Sequence, residues 1–253
     1  MAAGPRMEVL RVTDAFLEME NKSFQCIAAN ALALILFIVG SLDARSAHAD
    51  DVEAWAAGVA TAELGPEAER WLGYLEVQPR FGDYGIQLIV RPALGFKVFD
   101  WATAWLGYAW IPTFANGDTP DRYEHRIWQQ WTAAWNPDVV EMQSRSRLEQ
   151  RIITGESDVG LRFRQLFRAN WRFVPDATVY LPTTVEFMFD LLETEWSGDS
   201  GFEQYRLFGG LGLRLSSEVR IEAGYALVHH IRDPGADDLS HVASISLFVH
   251  HQY

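Results

Sequence analysis

Cysteine is all but missing: Cys26 is the single one in 253 residues. It lies in an apolar leader, so the body of the protein has no disulfide, no thiol nucleophile and no cysteine-ligated metal. Lysine is nearly as scarce. Beyond residue 49 the basic residues are 16 arginines and one lysine, Lys97. A soft solvated surface uses lysine freely, whereas arginine is chosen for planar, buried ion pairing. A basic balance is missing too: 21 basic residues stand against 34 acidic ones, a net charge of −13. No nucleic-acid partner is expected, because phosphate binding needs the opposite sign. The chain also lacks the roughly 20-residue apolar run that a membrane-crossing helix requires. Amphipathic helical stretches are absent as well.

What is present begins with a leader. Lys22 precedes the apolar run CIAANALALILFIVG, and Ala47, His48 and Ala49 form a small-x-small cleavage site before Asp50. That order is the layout of a secretory signal peptide, expected over residues 1–49, with Met19 as a second starting point. Cleavage leaves 253 − 49 = 204 residues, enough for one domain. All ten tryptophans and all eight tyrosines fall in that part.

The exported part alternates. In RSRLEQRIITGESDVGLRFRQLFR, residues 145–168, Arg145, Arg147, Glu149 and Arg151 share one parity while Leu148 and Ile152 share the other. After the turn TGESD, Arg162, Arg164 and Arg168 oppose Leu161, Phe163 and Phe167; Gln165 and Leu166 are swapped. Side chains two apart on a strand point the same way, so these are strands with one charged and one apolar face. Elsewhere Glu76 and Arg80 oppose Leu75, Val77 and Phe81. Glu124 and Arg126 oppose Ile127, Trp131 and Trp135, and Glu186 opposes Val185, Phe187 and Phe189. Arg206, Arg214, Arg220 and Glu222 likewise oppose leucine, isoleucine and tyrosine.

With no helix to cover the apolar faces, the economical arrangement turns them to lipid and closes the charged faces round a lumen. The expected fold is all-β: an antiparallel up-and-down transmembrane β-barrel of 10–12 strands with a polar, arginine-rich lumen. Ten strands are read from residue 70 to residue 253. Residues 50–69 form a further segment, strand or plug. Counting that segment as an eleventh strand breaks parity with an N-terminus left in the periplasm, so ten or twelve is expected. Pro92 marks a place where a strand could split or bulge. Short connections (99–100, 174–177, 216–218) and long acidic ones (115–122, 193–201, 232–240) fall on opposite ends, as in bacterial barrels. The terminal Tyr253 suits a last strand read by the barrel-assembly machinery. Trp101, Trp105, Tyr108, Trp110, Trp128, Trp131, Trp135 and Trp171 suit interfacial girdles.

Several fragments taken in order resemble the bacterial family known as domain of unknown function 2490. They are EVQPRF (76–81), RPALGF (91–96), Gly107–Tyr108, EHRIWQQ (124–130), RSRLEQR (145–151), Arg162 to Arg168, EQYRLFGGLG (203–212) and EAGY (222–225). The resemblance implies an outer-membrane-type β-barrel of Gram-negative bacteria and carries no activity or catalytic residue with it.

The residues expected to line the lumen are Glu76, Arg80, Glu124, Arg126, Arg145, Arg147, Glu149, Arg151, Arg162, Arg164, Arg168, Glu186, Arg206, Arg214, Arg220 and Glu222. Their arginines outnumber their carboxylates. The network either braces a structural barrel or lines a narrow, anion-favouring pore. Two other classes stay open. A membrane-embedded hydrolase would use Ser240 and His241 with Asp237 or Asp238, the only local cluster with all three residue types. A soluble periplasmic ligand-binding barrel would need the apolar parity inside. His229–His230 and His250–His251 cannot chelate as pairs, because strand neighbours diverge. Neither a cofactor nor a metal is expected. The expected partners are outer-membrane lipid, lipopolysaccharide and the assembly machinery, for a monomer in the Gram-negative outer membrane.

Overall fold

The computed structural model describes residues 51–65, 69–137, 139–174, 177–197, 199–231 and 238–251. The expected signal segment, Tyr253 and residues 232–237 of the last connection lie outside them. Eleven strands follow one another: β1 (Asp51–Glu63), β2 (Trp71–Gly82), β3 (Gly85–Phe99), β4 (Ala102–Ala115), β5 (Arg122–Trp135), β6 (Val140–Ile153), β7 (Val159–Arg172), β8 (Val179–Asp190), β9 (Gly201–Arg214), β10 (Val219–His230) and β11 (Asp238–His251). Each pairs with its sequence neighbour, and β1 pairs with β11, so the sheet is a closed barrel with no free edge.

The count is eleven, within the expected range but of the parity the export argument had excluded. Residues 51–63 are neither plug nor surplus; they complete the wall. Ten of the eleven contacts are antiparallel, and the closing one is parallel, from Asp51 opposite Ser240 to Ala62 opposite His251. An odd meander leaves its first and last strands pointing the same way, so closure must be parallel. β1 therefore starts at the end that carries the long connections, and β11 finishes at the other.

Pro92 neither splits nor bulges β3. Val90 faces Trp110 and Ala93 faces Gly107, so no residue is inserted, and Pro92 keeps its place opposite Leu75 on β2. Two irregularities lie elsewhere. One is between Lys97 and Phe99 in β3; the other is between β8 and β9, where Met188 faces Gln204 but Phe189 faces Phe202, leaving Glu203 as the extra residue. The β2–β3 turn needs a glycine. Gly85 has φ +113°, and a Cβ there would sit 2.1 Å from the Phe114 carbonyl oxygen.

The cross-strand register sorts every strand residue to one face. Leu75, Leu106, Ile127, Phe167, Leu207 and Leu211 are exposed on the outer face, and Leu211 is 61% exposed. Among the described strands the only Asp, Glu, Lys or Arg of outward parity is Glu203, and its bulge turns the carboxylate inward to Arg162. The swapped pair keeps strict alternation. Leu166 faces the interior cavity, while Gln165 points out and bonds Ser146 and Ser144. Gln129 and Gln150, also outward, donate to each other at 3.1 Å. The outward amides thus satisfy one another.

Candidate functional site

The interior is built round Glu149, which is 0% exposed. Strand pairing places it between Trp128 on β5 and Arg162 on β7, one rung from the row Gln130–Arg147–Arg164. Three guanidinium groups donate to it: Arg126 and Arg164 at 2.9 Å and Arg147 at 3.3 Å. The chain of charge continues both ways. Arg126 and Arg151 share Glu124, the latter at 2.6 Å. Arg164 grips Glu186 with Nε at 3.1 Å and Nη2 at 2.8 and 2.9 Å, and Arg145 reaches the same carboxylate at 2.6 Å. Arg126 and Arg151 each hold Glu124, and Arg164 holds Glu186, through two guanidinium nitrogens, the two-point geometry that makes a buried ion pair hold, whereas the contacts to Glu149 and that of Arg145 are single.

Three smaller groups flank this core. Arg162 donates to Asp190 at 2.8 Å and to Glu203 at 2.6 Å; the bulge at Glu203 is what turns that carboxylate toward the arginine. Arg91 donates to Glu76 at 2.6 Å, and Tyr74 donates to the same oxygen at 2.5 Å. Toward the short-turn end, Arg168 and Tyr180 both donate to Glu222, while Arg214 and Arg220 approach Glu141. Arg80 differs from all of these. Among the described residues it has no carboxylate within ion-pair distance; it donates to Gln78 and lies 4.0 Å from the Trp55 ring. Arg206 lies over the same ring at 5.1 Å, donates to Gln204 and has its nearest carboxylate, Glu186, at 3.9 Å.

All sixteen residues read from the sequence as lumen-lining thus stand on the inward face, in one connected interior. Asp190, which the alternation sets on the same side as Glu186, stands there too. Arg91 and Glu141 escaped that reading although both carry the inward parity and were legible from alternation. Tyr74 and Tyr180 were legible in the same way. Glu203 was not, because only a bulge brings an outward-parity residue round. Two girdle assignments are corrected: Trp128 is 1% exposed and Trp105 packs against it, both inside. Trp128 shares parity with Arg126 and Gln130, and no ring of that parity can reach an interface. The other expected girdle aromatics are outward and exposed, with Trp101, Trp135 and Trp171 at the short-turn end.

The long-loop end is partly covered. Trp196, in the β8–β9 connection, donates to the Asp158 carbonyl at 3.3 Å and stacks under Arg122 and Arg151. Gly160 makes room for it, since a Cβ there would lie 2.6 Å from the indole. In the β2–β3 turn, Tyr84 donates to Glu53 at 3.1 Å. Burial, with the Glu53 charge, holds its phenol above its ordinary value, so it remains a donor.

Among the described residues the hydrolase cluster is split between two faces. Ser240 is buried on the inner face, whose parity Asp238 shares, whereas His241 is on the outer face against Tyr225; Asp237 lies outside the described residues. The histidine pairs diverge as strand geometry requires: His230 contacts Gln204 within, and His251 contacts Glu218. Among the described residues no group of three His, Cys, Asp or Glu is placed to hold a metal ion.

Between the arginine-bearing strands and the opposite wall lies a cavity of about 390 Å³. Arg80, Arg91, Arg145, Arg164, Arg206 and Arg220 border it, as do Trp55, Trp105, Trp128 and Phe208. On the far side it meets Ala57, Val59, Thr61, Ser244 and Ser246.

The family described as "Protein of unknown function (DUF2490)" matches residues 53–239. An uncharacterised protein of Methylorubrum extorquens is 33% identical over 183 residues, covering 70% of this chain and 79% of its own length. No solved structure matches the chain.

Proposed function

This chain belongs to the DUF2490 family, and from its closed barrel we propose that it is an outer-membrane β-barrel whose role is structural, its bore narrowed by an internal arginine–carboxylate brace. The observation that carries the reading is the outer face: eleven described strands with no outward Asp, Glu, Lys or Arg, the one glutamate of outward parity being bulged and turned in to Arg162. Water would not demand that; hydrocarbon does, at about 2–4 kcal/mol for a charge at the bilayer midplane. Strands of 12 to 15 residues exceed the 9–11 that a tilted membrane strand requires. Outward tryptophans cluster at one rim, where a lipid interface favours them.

The interior supports a brace over an open pore. Trp128, Arg147, Tyr180, Met188, Gln204 and Glu149 are all under 2% exposed, which leaves no wide water-filled channel at their level. In this reading the signal peptide directs export, the assembly machinery inserts the barrel, and lipid and lipopolysaccharide surround it. The long connections face outward, so Asp51 sits at the outer rim and the chain's last strand ends at the periplasm. A soluble ligand-binding barrel would have needed the leucines inside, and Leu75, Leu94, Leu106, Leu207, Leu211 and Leu213 are exposed outside.

Two measurements test this. Cell fractionation should place the full chain in the outer membrane, with a tag inserted before Asp51 labelled on intact cells. In planar bilayers the purified barrel should conduct far less than an open porin. Recovery in the soluble periplasm without detergent would overturn the membrane reading; large stepwise conductance would overturn the brace.

A further inference from the structure

The interior carries more cation than its own carboxylates neutralise. Fourteen arginines (80, 91, 122, 126, 145, 147, 151, 162, 164, 168, 172, 206, 214 and 220) and Lys97 face inward among the described strands, against twelve carboxylates (51, 53, 63, 76, 124, 141, 149, 186, 190, 203, 222 and 238). The surplus is not spread evenly. Glu149 and Glu124 each serve two or three arginines, while the shortfall collects at the cavity. Among the described residues the Nε of Arg91, Arg145 and Arg206 has no acceptor, although each is sealed in the wall and not open to the cavity. Among the described residues Arg80 has no carboxylate within ion-pair distance and donates to Gln78. The carboxylates bordering the cavity are already engaged: Glu76 by Tyr74 and Arg91, Glu186 by Arg145 and Arg164, Glu222 by Arg168 and Tyr180.

Guanidinium groups that cluster round a cavity and are short of carboxylate draw an anion into it. A cavity of about 390 Å³ falls in the size range of small-molecule sites, about 300–1,000 Å³, which combine apolar walls with a few convergent polar groups. Here the apolar walls are aromatic: Trp105, Trp128 and Phe208 stand beside the guanidinium cluster, and the Nε1 of both tryptophans is buried without a partner. We propose that this cavity is a binding site for one small organic anion with a flat apolar body, an aromatic carboxylate being the class it fits. The carboxylate would lie among Arg80, Arg91, Arg145 and Arg206 and the ring against the tryptophans. The site depends on the closed barrel alone and not on what surrounds its outer face.

The test is calorimetric titration of the detergent-solubilised full chain with benzoate, inorganic phosphate and benzylamine. Micelles alone serve as blank, and the heat-modifiable gel shift of a folded barrel serves as fold control. Benzoate should bind saturably at one site and benzylamine should not. Arg80→Gln and Arg206→Gln strand no carboxylate at close range, so both should fold. Each should weaken benzoate about tenfold, the worth of a charge-assisted hydrogen bond. Ser246→Leu, filling the cavity from its small-residue side, should abolish binding in a folded barrel. Four outcomes would each overturn the assignment: no saturable benzoate binding by folded protein, equal binding of benzylamine, phosphate binding as tightly as benzoate, or unchanged affinity in both arginine variants. None of these depends on bilayer insertion, so the membrane reading stands or falls separately.

Discussion

The two halves of the barrel interior are made from different alphabets. On β5 to β8 the inward positions carry Glu124, Arg126, Arg145, Arg147, Glu149, Arg151, Arg162, Arg164, Arg168, Glu186 and Asp190. On β10, β11 and β1, mid-barrel, they carry Gly224, Ala226, Val228, Val242, Ser244, Ser246, Ala57 and Val59. The difference is steric before it is chemical. Long side chains from one wall of a narrow barrel can be housed only if the facing wall is small. Arg206 illustrates it, reaching the Trp55 ring from β9 past Ala226 and Ser244, both of which border the same cavity. The charged wall supplies rigidity, and the small wall supplies the space that remains.

Substitutions can break that contrast. The largest effect belongs at the hub of the charged wall. Glu149→Gln takes away the charge shared by three buried arginines and turns one of its two acceptor oxygens into a donor, and it should destabilise the barrel by about 3–5 kcal/mol, the cost of stranding one side of a buried pair. Its denaturant midpoint after reconstitution measures this, and Ser246→Ala on the small wall should leave that midpoint nearly unmoved. Next comes the outer face: Leu207→Arg, mid-strand on β9, should cost about 2–4 kcal/mol in a bilayer. The same unfolding assay reads it, and a negligible cost would remove hydrocarbon from the picture.

A smaller effect contrasts two glycines of β9. A Cβ on Gly212 would enter the Tyr180 ring at 2.2 Å, whereas Gly209 has open space on the outer face. Gly212→Ala should lose about 1–3 kcal/mol through overpacking, and Gly209→Ala should be close to silent, both read as shifts in unfolding midpoint. Smallest is Arg220→Gln. Arg220 is over a third exposed and 3.7 Å from Glu141, so its loss should change stability by about 0–1 kcal/mol. A loss approaching that of Glu149→Gln would mean that the short-turn end is braced as firmly as the middle.

Much of this is legible in the sequence alone. Arg145, Arg147, Glu149 and Arg151 declare a shared face by spacing alone, and strand register adds Arg91 and Glu141 by the same rule. Trp128 was misplaced because its residue type was weighed above its parity; the parity was right. Glu203 could not be read at all, since a bulge is a departure from the local rule. The strand number was misjudged for a different reason: the argument for even parity came from how such barrels are exported, not from residues 51–63, whose own pattern is a strand.

By itself, then, the sequence determined which side of each strand is charged and which apolar, because a strand's two-residue period is a property of neighbours along the chain. Only the tertiary structure decided that eleven strands close through a parallel seam. It alone decided which carboxylate serves which arginine, and that the surplus guanidinium donors meet at one cavity. Those outcomes depend on circumference and on distances across the barrel, and no local pattern encodes either.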